Sequence, residues 1–324
     1  MGEMLKADDR GIEAAALALR SGLLVAFPTE TVYGLGANAR DEQAVRRIFA
    51  AKGRPSWHPL IVHLPSLQEL PGWAADIPQQ AWDLAEVFWP GPLTLVLKKA
   101  GGVSAHITGG QGTVALRIPN HAVALRLLRA FERGIAAPSA NKFGHISPTR
   151  AEHVAEDFAD EVAIILDGGP CRVGLESTIV DLSGSAATLL RPGAIDRASL
   201  ARVLGAPPRD SQGEQTTRVP GMIERHYAPH KPTRLCSYKN LEQIACSMKA
   251  EYGVLSLQKR PPCFTGVWIE LSSEPERYAK DLYAALRELD HTRAAEILIE
   301  EVPVAATWEA IRDRLRRAST QSNN

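Results

Sequence analysis

Four cysteines in 324 residues are few, and none stands in a Cys-x-x-Cys arrangement. That spacing offers no zinc knuckle, disfavours a disulfide scaffold and fits a reducing compartment. Neither charge sign dominates: 37 Lys and Arg balance 37 Asp and Glu. The balance argues against broad, non-specific attraction to nucleic acid, although a local basic site remains open. No apolar run approaches membrane-spanning length. The N-terminal MGEMLKADDRGIEAA carries charges and no apolar stretch of the signal-peptide kind. The expectation is a soluble cytoplasmic protein without a membrane partner. There is no internal repeat, no low-complexity tract and no Walker loop. Gly34 and Gly36 follow a strand pattern but lack the third glycine of a dinucleotide fingerprint.

What is present is an alternation of helix and strand patterns, with a hydrophobic fraction of 45% that suits a sizeable core. The length suits two domains. IEAAALALR, EQAVRRIFAAK (capped by Asp41), QAWDLAEVF, HAVALRLLRAF and TRAEHVAEDF read as helices. LLVAFP, PLIVHL, LTLVLKK, TVALRIP, AIILDGG, STIVDLS and TLLRPG read as strands. Some strands follow one another across a turn alone, which predicts a mixed rather than purely parallel sheet with flanking helices. The boundaries expected are a larger α/β domain over 1–206, a Pro- and Gly-rich linker or lid over 207–231, and a small three-layer α/β domain over 232–324. In that last part LEQIACSMKAEY, EPERYAKDLYAALREL and TWEAIRDRLRRAS read as helices, and YGVLSL, GVWIELS and AEILIEEV as strands.

Chemistry-bearing residues gather at the ends of these patterns. Lys52, Arg54, His58 and His63 lie between Ala51 and Pro65 with no acid among them. Such a stretch is either a solvated run after a helix, where cations suit the C-terminal dipole, or an anion site. Ser139 and Asn141 end an apolar strand in APSAN, and small residues there permit close ligand approach. Thr29, Thr31 and Tyr33 line either a cleft or an ordinary loop. Arg117 interrupts the apolar TVALRIP and must leave the core, pair with a carboxylate, or hold an anionic ligand. Thr113 opens that strand. Glu176, Ser177 and Thr178 enter another strand; with no GxSxG elbow, Ser177 reads as a binding group rather than a nucleophile. Arg191 precedes Pro192 and Gly193 at a strand end. His226 and His230 flank Tyr227, but Pro229 excludes a helical metal pair. This segment is either exposed linker or a lid.

PTETVYGLG, KGRPSWHPLIVH, WPGPLTLVL, TVALRIP, APSANKFGHISPT, ESTIVDL, LLRPGAI and the linker PGMIERHYAP together resemble the threonylcarbamoyl-AMP synthases in their two-domain form. The resemblance spans nearly the whole chain. It implies a YrdC-like catalytic domain with a twisted mixed sheet, and a small Rossmann-like C-terminal domain. It implies formation of threonylcarbamoyl-AMP and pyrophosphate from L-threonine, bicarbonate and ATP, with Mg²⁺ on the phosphates, in service of tRNA threonylcarbamoyl-adenosine modification. Thr31, His63, Arg117, Ser139 and Ser177 match threonine-holding positions. Arg54, His58, Thr113, Asn141, Thr149, Arg191 and Tyr227 match nucleotide-holding positions, and Lys52 and Arg54 are expected to be catalytic. His58 stands where the family usually has Asn, so a pH dependence near neutrality is expected of it. Transient contact with the tRNA-modifying machinery is implied, without strong direct nucleic-acid binding. The rival class is a non-catalytic nucleotide- or RNA-binding regulator on the same fold. A carbamoyl-transfer module of hydrogenase maturation would need fused zinc-finger and acylphosphatase segments, which the sequence lacks.

Overall fold

A computed structural model describes residues 2–158, 160–211, 217–221, 226–247 and 252–319. The chain divides into two compact units. The first comprises Met1–Phe143, Pro148–Arg172 and Glu176–Met222; the second comprises Gly144–Ser147, Val173–Leu175 and Ile223–Asn324. Within the stretch expected as linker, 212–216 and 222–225 lie outside the described residues, as do 248–251 at the end of the LEQIACSMKAEY helix.

The first unit runs β1 (Glu3–Lys6), α1 (Asp9–Arg20), β2 (Val25–Phe27), β3 (Gly34–Asn38), α2 (Glu42–Lys52), β4 (Ile61–His63), α3 (Gln79–Phe88), β5 (Leu93–Lys98) and α4 (Ala105–Thr108). It continues with β6 (Thr113–Arg117), α5 (Ala122–Phe131), β7 (Ile135–Ala136), α6 (Ala151–Asp157), β8 (Ile164–Asp167), β9 (Thr178–Asp181), β10 (Thr188–Arg191), α7 (Arg197–Leu204) and β11 (Arg209–Asp210). Among the described residues the strands form one sheet of eleven, in the order β1-β8-β2-β3-β7-β4-β6-β5-β9-β10-β11. The sheet is mixed, as expected: β2–β3, β5–β6 and β9–β10 pair antiparallel, while β4–β6 and β5–β9 pair parallel.

Side chains alternate across this sheet with a period of two. Val25 and Phe27 pack with Leu19, Leu127, Leu128 and Phe131 from α1 and α5 on one face. Ala26, Leu35, Val62, Leu95 and Leu116 join Ile48, Trp73 and Leu84 on the other. With both faces covered, the central strands read as continuous apolar runs. Each such buried Leu or Phe side chain contributes roughly 1.5–3 kcal/mol.

Local chemistry sets the helix ends that matter for function. Asp41 caps α2 by accepting from the backbone N–H groups of Gln43 and Ala44 at 2.9 and 3.2 Å. Gly53 closes α2 at φ 62°, a left-handed conformation that glycine adopts freely. Lys52 is thus the last helical residue, and Arg54 points into the loop beyond. His121 caps α5 through Nδ1, which accepts from Val123 N–H at 3.3 Å.

The second unit holds β12 (Thr233–Cys236), α8 (Tyr238–Ser247), β13 (Tyr252–Ser256), β14 (Val267–Glu270), α9 (Pro275–His291), β15 (Glu296–Glu300) and α10 (Glu309–Ser319). Its four described strands pair in parallel in the order β12-β15-β13-β14, which is the small three-layer arrangement expected. The cysteine spacing disfavoured a disulfide scaffold, yet Cys246 and Cys263 pair here, with Cα atoms 5.3 Å apart and a sequence separation of 17. Loop closure of that length stabilises by about 3 kcal/mol in a chain-entropy account. Cys171 and Cys236 are free and buried.

Candidate functional site

The loop between β2 and β3 is a knot of hydroxyl bonds. Thr29 Oγ1 lies 2.8 Å from Thr31 Oγ1, donates to the Val32 carbonyl at 2.6 Å, and accepts from the N–H groups of Thr31 and Val32 at 3.2 Å. The knot fixes Glu30 between its two threonines. The next residues seat a second loop: Ala140 N–H donates to the Tyr33 carbonyl at 2.8 Å, and Gly34 bridges to Ser139. The PTET and SAN segments, 110 positions apart, are therefore neighbours by main-chain bonding.

Lys52 comes to the SAN segment from the other side. It is 3% exposed, and its Nζ donates to the Ser139 carbonyl at 2.6 Å and to that of Asn141. Among the described residues it makes no ion pair. Burial first, and Arg54 second, hold its pKa well below the usual lysine range. Arg54 donates to the Pro59 carbonyl at 2.8 Å. Asn141 is buried and donates through Nδ2 to the Lys142 carbonyl at 2.8 Å.

His58 packs between Trp57, 4.0 Å away and stacked, and Phe143, 5.2 Å away and edge-on. Burial, then Arg54 and Arg218, push its pKa down to about 4. This runs against the expectation of a titration near neutrality: burial and then two guanidinium groups disfavour the charged ring.

A second cation, Arg117, ends β6 beside His63 on β4, in register. Its Nη2 lies 2.8 Å from Glu30 Oε1, and its Nε donates to the Gly91 carbonyl at 3.2 Å. The side chains of both ions are at most 4% exposed. Of the fates open to an Arg in this strand, the structure shows pairing with a carboxylate. His63 is pushed down to about 3, by burial and then by Arg117, so it too is neutral.

Three residues after Gly91, Thr94 Oγ1 lies 2.7 Å from Ser177 Oγ. Ser177 in turn receives Arg191: Nη2 donates to its Oγ and Nε to its carbonyl, each at 3.0 Å. Arg191 Nη1 reaches the Pro220 carbonyl at 3.1 Å. Segment 91–94 therefore links the Arg117 pair to the Ser177–Arg191 pair within about 10 Å of extended chain.

Arg117, Ser177 and Arg191 are thus linked through Glu30 and segment 91–94, with His63 in register beside Arg117 and Thr31 next to Glu30. Lys52, Ser139 and Asn141 form a second cluster, joined to the first through the main chain of Tyr33 and Gly34. Thr149 is buried; its N–H donates to His153 Nδ1 at 3.2 Å, and its carbonyl accepts from Cys171 N–H at 2.9 Å. Thr113 stands at the far end of β6 from Arg117, about 13 Å away along the strand. Tyr227 belongs to the second unit, at φ 61°, stacked on Tyr283 at 5.8 Å with Arg314 5.2 Å from its ring centre. The sequence reading passed over Glu30 and Thr94. Glu30 lay in view beside Thr31 in the same motif, while Thr94 carried no signal within its apolar strand.

A family model described as "Telomere recombination" matches residues 17–193, and one described as "Threonylcarbamoyl-AMP synthase, C-terminal domain" matches residues 195–320. The chain is 44% identical over 318 residues to a protein of Pyrococcus abyssi named threonylcarbamoyl-AMP synthase, covering 95% of this chain and 94% of the relative. It is 39% identical over 327 residues to one of that name from Bacillus subtilis, covering 97% and 94%. A structure of P. abyssi Sua5 complexed with L-threonine superposes with a TM-score of 0.90 at 43% identity, covering 98% of this chain and 97% of that one.

Proposed function

The chain belongs to the threonylcarbamoyl-AMP synthase family, and we propose that the network around Arg117, Ser177, Arg191 and Lys52 is where it carries out that family's reaction. The activity is formation of threonylcarbamoyl-AMP from L-threonine, bicarbonate and ATP with release of pyrophosphate, an enzymatic transfer that supplies tRNA modification. Relatedness along the whole chain to proteins named as synthases favours catalysis over the non-catalytic regulator.

One observation carries the site assignment: segment 91–94 joins a charge-neutralised Arg117 to the Ser177–Arg191 pair. Threonine is a zwitterion with no net charge, and a paired Arg–Glu suits it. Arg117 takes the carboxylate, with Thr31, neutral His63, Ser139 and Ser177 around it. ATP is a polyanion, and Arg54, Arg191 and the amide of Asn141 suit its phosphates, with Thr149, Thr113 and His58 as further nucleotide contacts. The carbamate oxygen attacks the α-phosphate, so the protein supplies alignment and charge stabilisation and needs no covalent nucleophile. Lys52, spent on two carbonyls, acts by holding Ser139 and Asn141 in place.

Mg²⁺ enters with ATP as the counter-ion of its phosphates. Such an ion typically keeps several of its waters and takes few protein ligands. Among the described residues no helix is long and apolar enough to cross a membrane. A cytoplasmic location and transient contact with the tRNA-modifying machinery follow from the product's use. The test is pyrophosphate release from ATP and bicarbonate with L-threonine, L-serine or neither. Threonine-dependent release is expected; nucleotide binding without release would return the protein to the regulatory class.

A further inference from the structure

L-Threonine enters as a zwitterion, and its ammonium nitrogen has no lone pair until a proton leaves. That proton must leave, to water or to a nearby group, before a carbamate can form, and a base beside the carboxylate anchor would take it directly. Glu30 stands there. It is 2% exposed and held by the Thr29–Thr31 knot. Its contact with Arg117 is ionic, through Oε1 at 2.8 Å. Neither carboxylate oxygen makes an aligned hydrogen bond among the described residues. A buried carboxylate with unfilled lone pairs is costly, and such groups persist where a ligand fills them.

The titratable groups around it do not compete for the role. Burial raises the Cys171 thiol and Glu30 raises it further, so it stays protonated. Burial lowers His121, Glu30 raises it and Arg172 lowers it, with a net fall. Its Nδ1 is committed to the Val123 N–H. Arg117 is permanently charged. Glu30 is the carboxylate that remains, next to the cation assigned to the substrate's own carboxylate.

We propose that Glu30 receives the ammonium of the amino-acid substrate through its unfilled oxygen and takes the proton that frees the amine. This rests on the threonine site assigned above. The balance is R–NH₃⁺ plus Glu–COO⁻ giving R–NH₂ plus Glu–COOH. The proton passes to the hydroxyl oxygen of bicarbonate, which leaves as water and returns Glu30 to its carboxylate. The amine lone pair forms the N–C bond to the carbon dioxide so released, a C=O π pair moves onto oxygen, and the second proton goes to solvent. The sum is R–NH₃⁺ plus HCO₃⁻ giving R–NH–COO⁻, water and H⁺. Arg117 and Glu30 together would then read the α-carboxylate and α-ammonium of one amino acid.

Glu30→Gln keeps the shape and removes the charge. Calorimetric titration compares L-threonine with 2,3-dihydroxybutyrate, whose α-hydroxyl replaces the ammonium. The expected result is at least tenfold weaker threonine binding and less than twofold change for the hydroxy acid. If Glu30 only props up Arg117, both ligands weaken alike, which overturns the proposal. Forward synthesis should fall at least 100-fold. Formation of ATP from supplied threonylcarbamoyl-AMP and pyrophosphate, which precedes any amine chemistry, should stay within threefold of wild type. Forward synthesis within fivefold of wild type, or loss of both directions together, also overturns it. Should Glu30→Gln not fold by circular dichroism, Glu30→Asp, which draws the carboxylate back by one methylene, carries the same forward-against-reverse comparison. A wild type that releases no threonine-dependent pyrophosphate would count against the functional assignment instead, so the two failures are separable.

Discussion

Lys52 and Arg117 are both buried cations of the first unit, and they are satisfied in opposite ways. Lys52 rests on two backbone carbonyls with no ion pair among the described residues; burial and Arg54 disfavour its charge, and Asp157 opposes them only through space. Arg117 rests on Glu30 at 2.8 Å and is neutralised. The first arrangement leaves positive potential for a polyanion; the second leaves a dipole suited to a zwitterion. Desolvating a charge beside carbonyls alone is expensive, and it survives here because it cross-links the end of α2 to the loop that carries Ser139 and Asn141.

The strongest way to break this comparison is at Arg117. Arg117→Met strands Glu30 as an unpaired buried carboxylate and should destabilise the first unit by about 3–5 kcal/mol, with threonine-dependent pyrophosphate release lost. Adding Glu30→Gln to that variant should recover much of the stability and none of the activity. Denaturant midpoints of the three proteins decide it: a double variant no more stable than Arg117→Met would mean the pair is not the source of the loss. Lys52→Met should do less to the fold. It orphans two carbonyls, at roughly 1–3 kcal/mol each, but also relieves the burial of a charge, so about 2 kcal/mol net is expected. Adenylate formation should nevertheless fall about 100-fold, which is ~2.7 kcal/mol of transition-state stabilisation. Full activity in Lys52→Met would end its assigned role in holding the loop.

How much of this was legible in the sequence depends on the range of each contact. The capping of α2 by Asp41, the apolar strands β4, β5, β6 and β9, and the Arg117 dilemma are local patterns and were readable. The partners were not. Lys52 meets carbonyls 87 and 89 positions away, and Glu30 meets an arginine across the sheet. Strand β3, GLGAN, carries no strand signal because glycine is scarce in strands. In the fold, a Cβ on Gly36 would lie 2.8 Å from Phe27 and 2.9 Å from Ile135. Only glycine allows that approach of the neighbouring side chains. The short β1, β7 and β12 had too few residues to show a period. The Cys246–Cys263 bridge was hidden because two cysteines at that spacing carry no signal without coordinates.

The smallest effect, and the finest test of how the polyanion end handles charge, is His58→Asn. Burial and the two nearby guanidinium groups hold His58 at about 4, against 6.5 for a free imidazole. Between those pH values the unfolded chain binds a proton that the folded chain refuses. Stability therefore falls as pH drops from 6.5 toward 4 and is fully present above 6.5. His63, pushed to about 3 by burial and Arg117, adds a slope of the same sign over a wider window. His121, also lowered by burial, adds to it in the same sense, so His58→Asn removes one contribution among three, and the loss of Tm between pH 6.5 and 4.5 should become shallower by about 2 °C without vanishing. Catalytic rates between pH 6.5 and 8 should be indifferent to the substitution, because the ring is already neutral there. A shift of the activity profile within that range on His58→Asn would show that His58 titrates near neutrality after all. The guanidinium charge around it would then have to be compensated, and the contrast with the Glu30–Arg117 end would lose its physical basis.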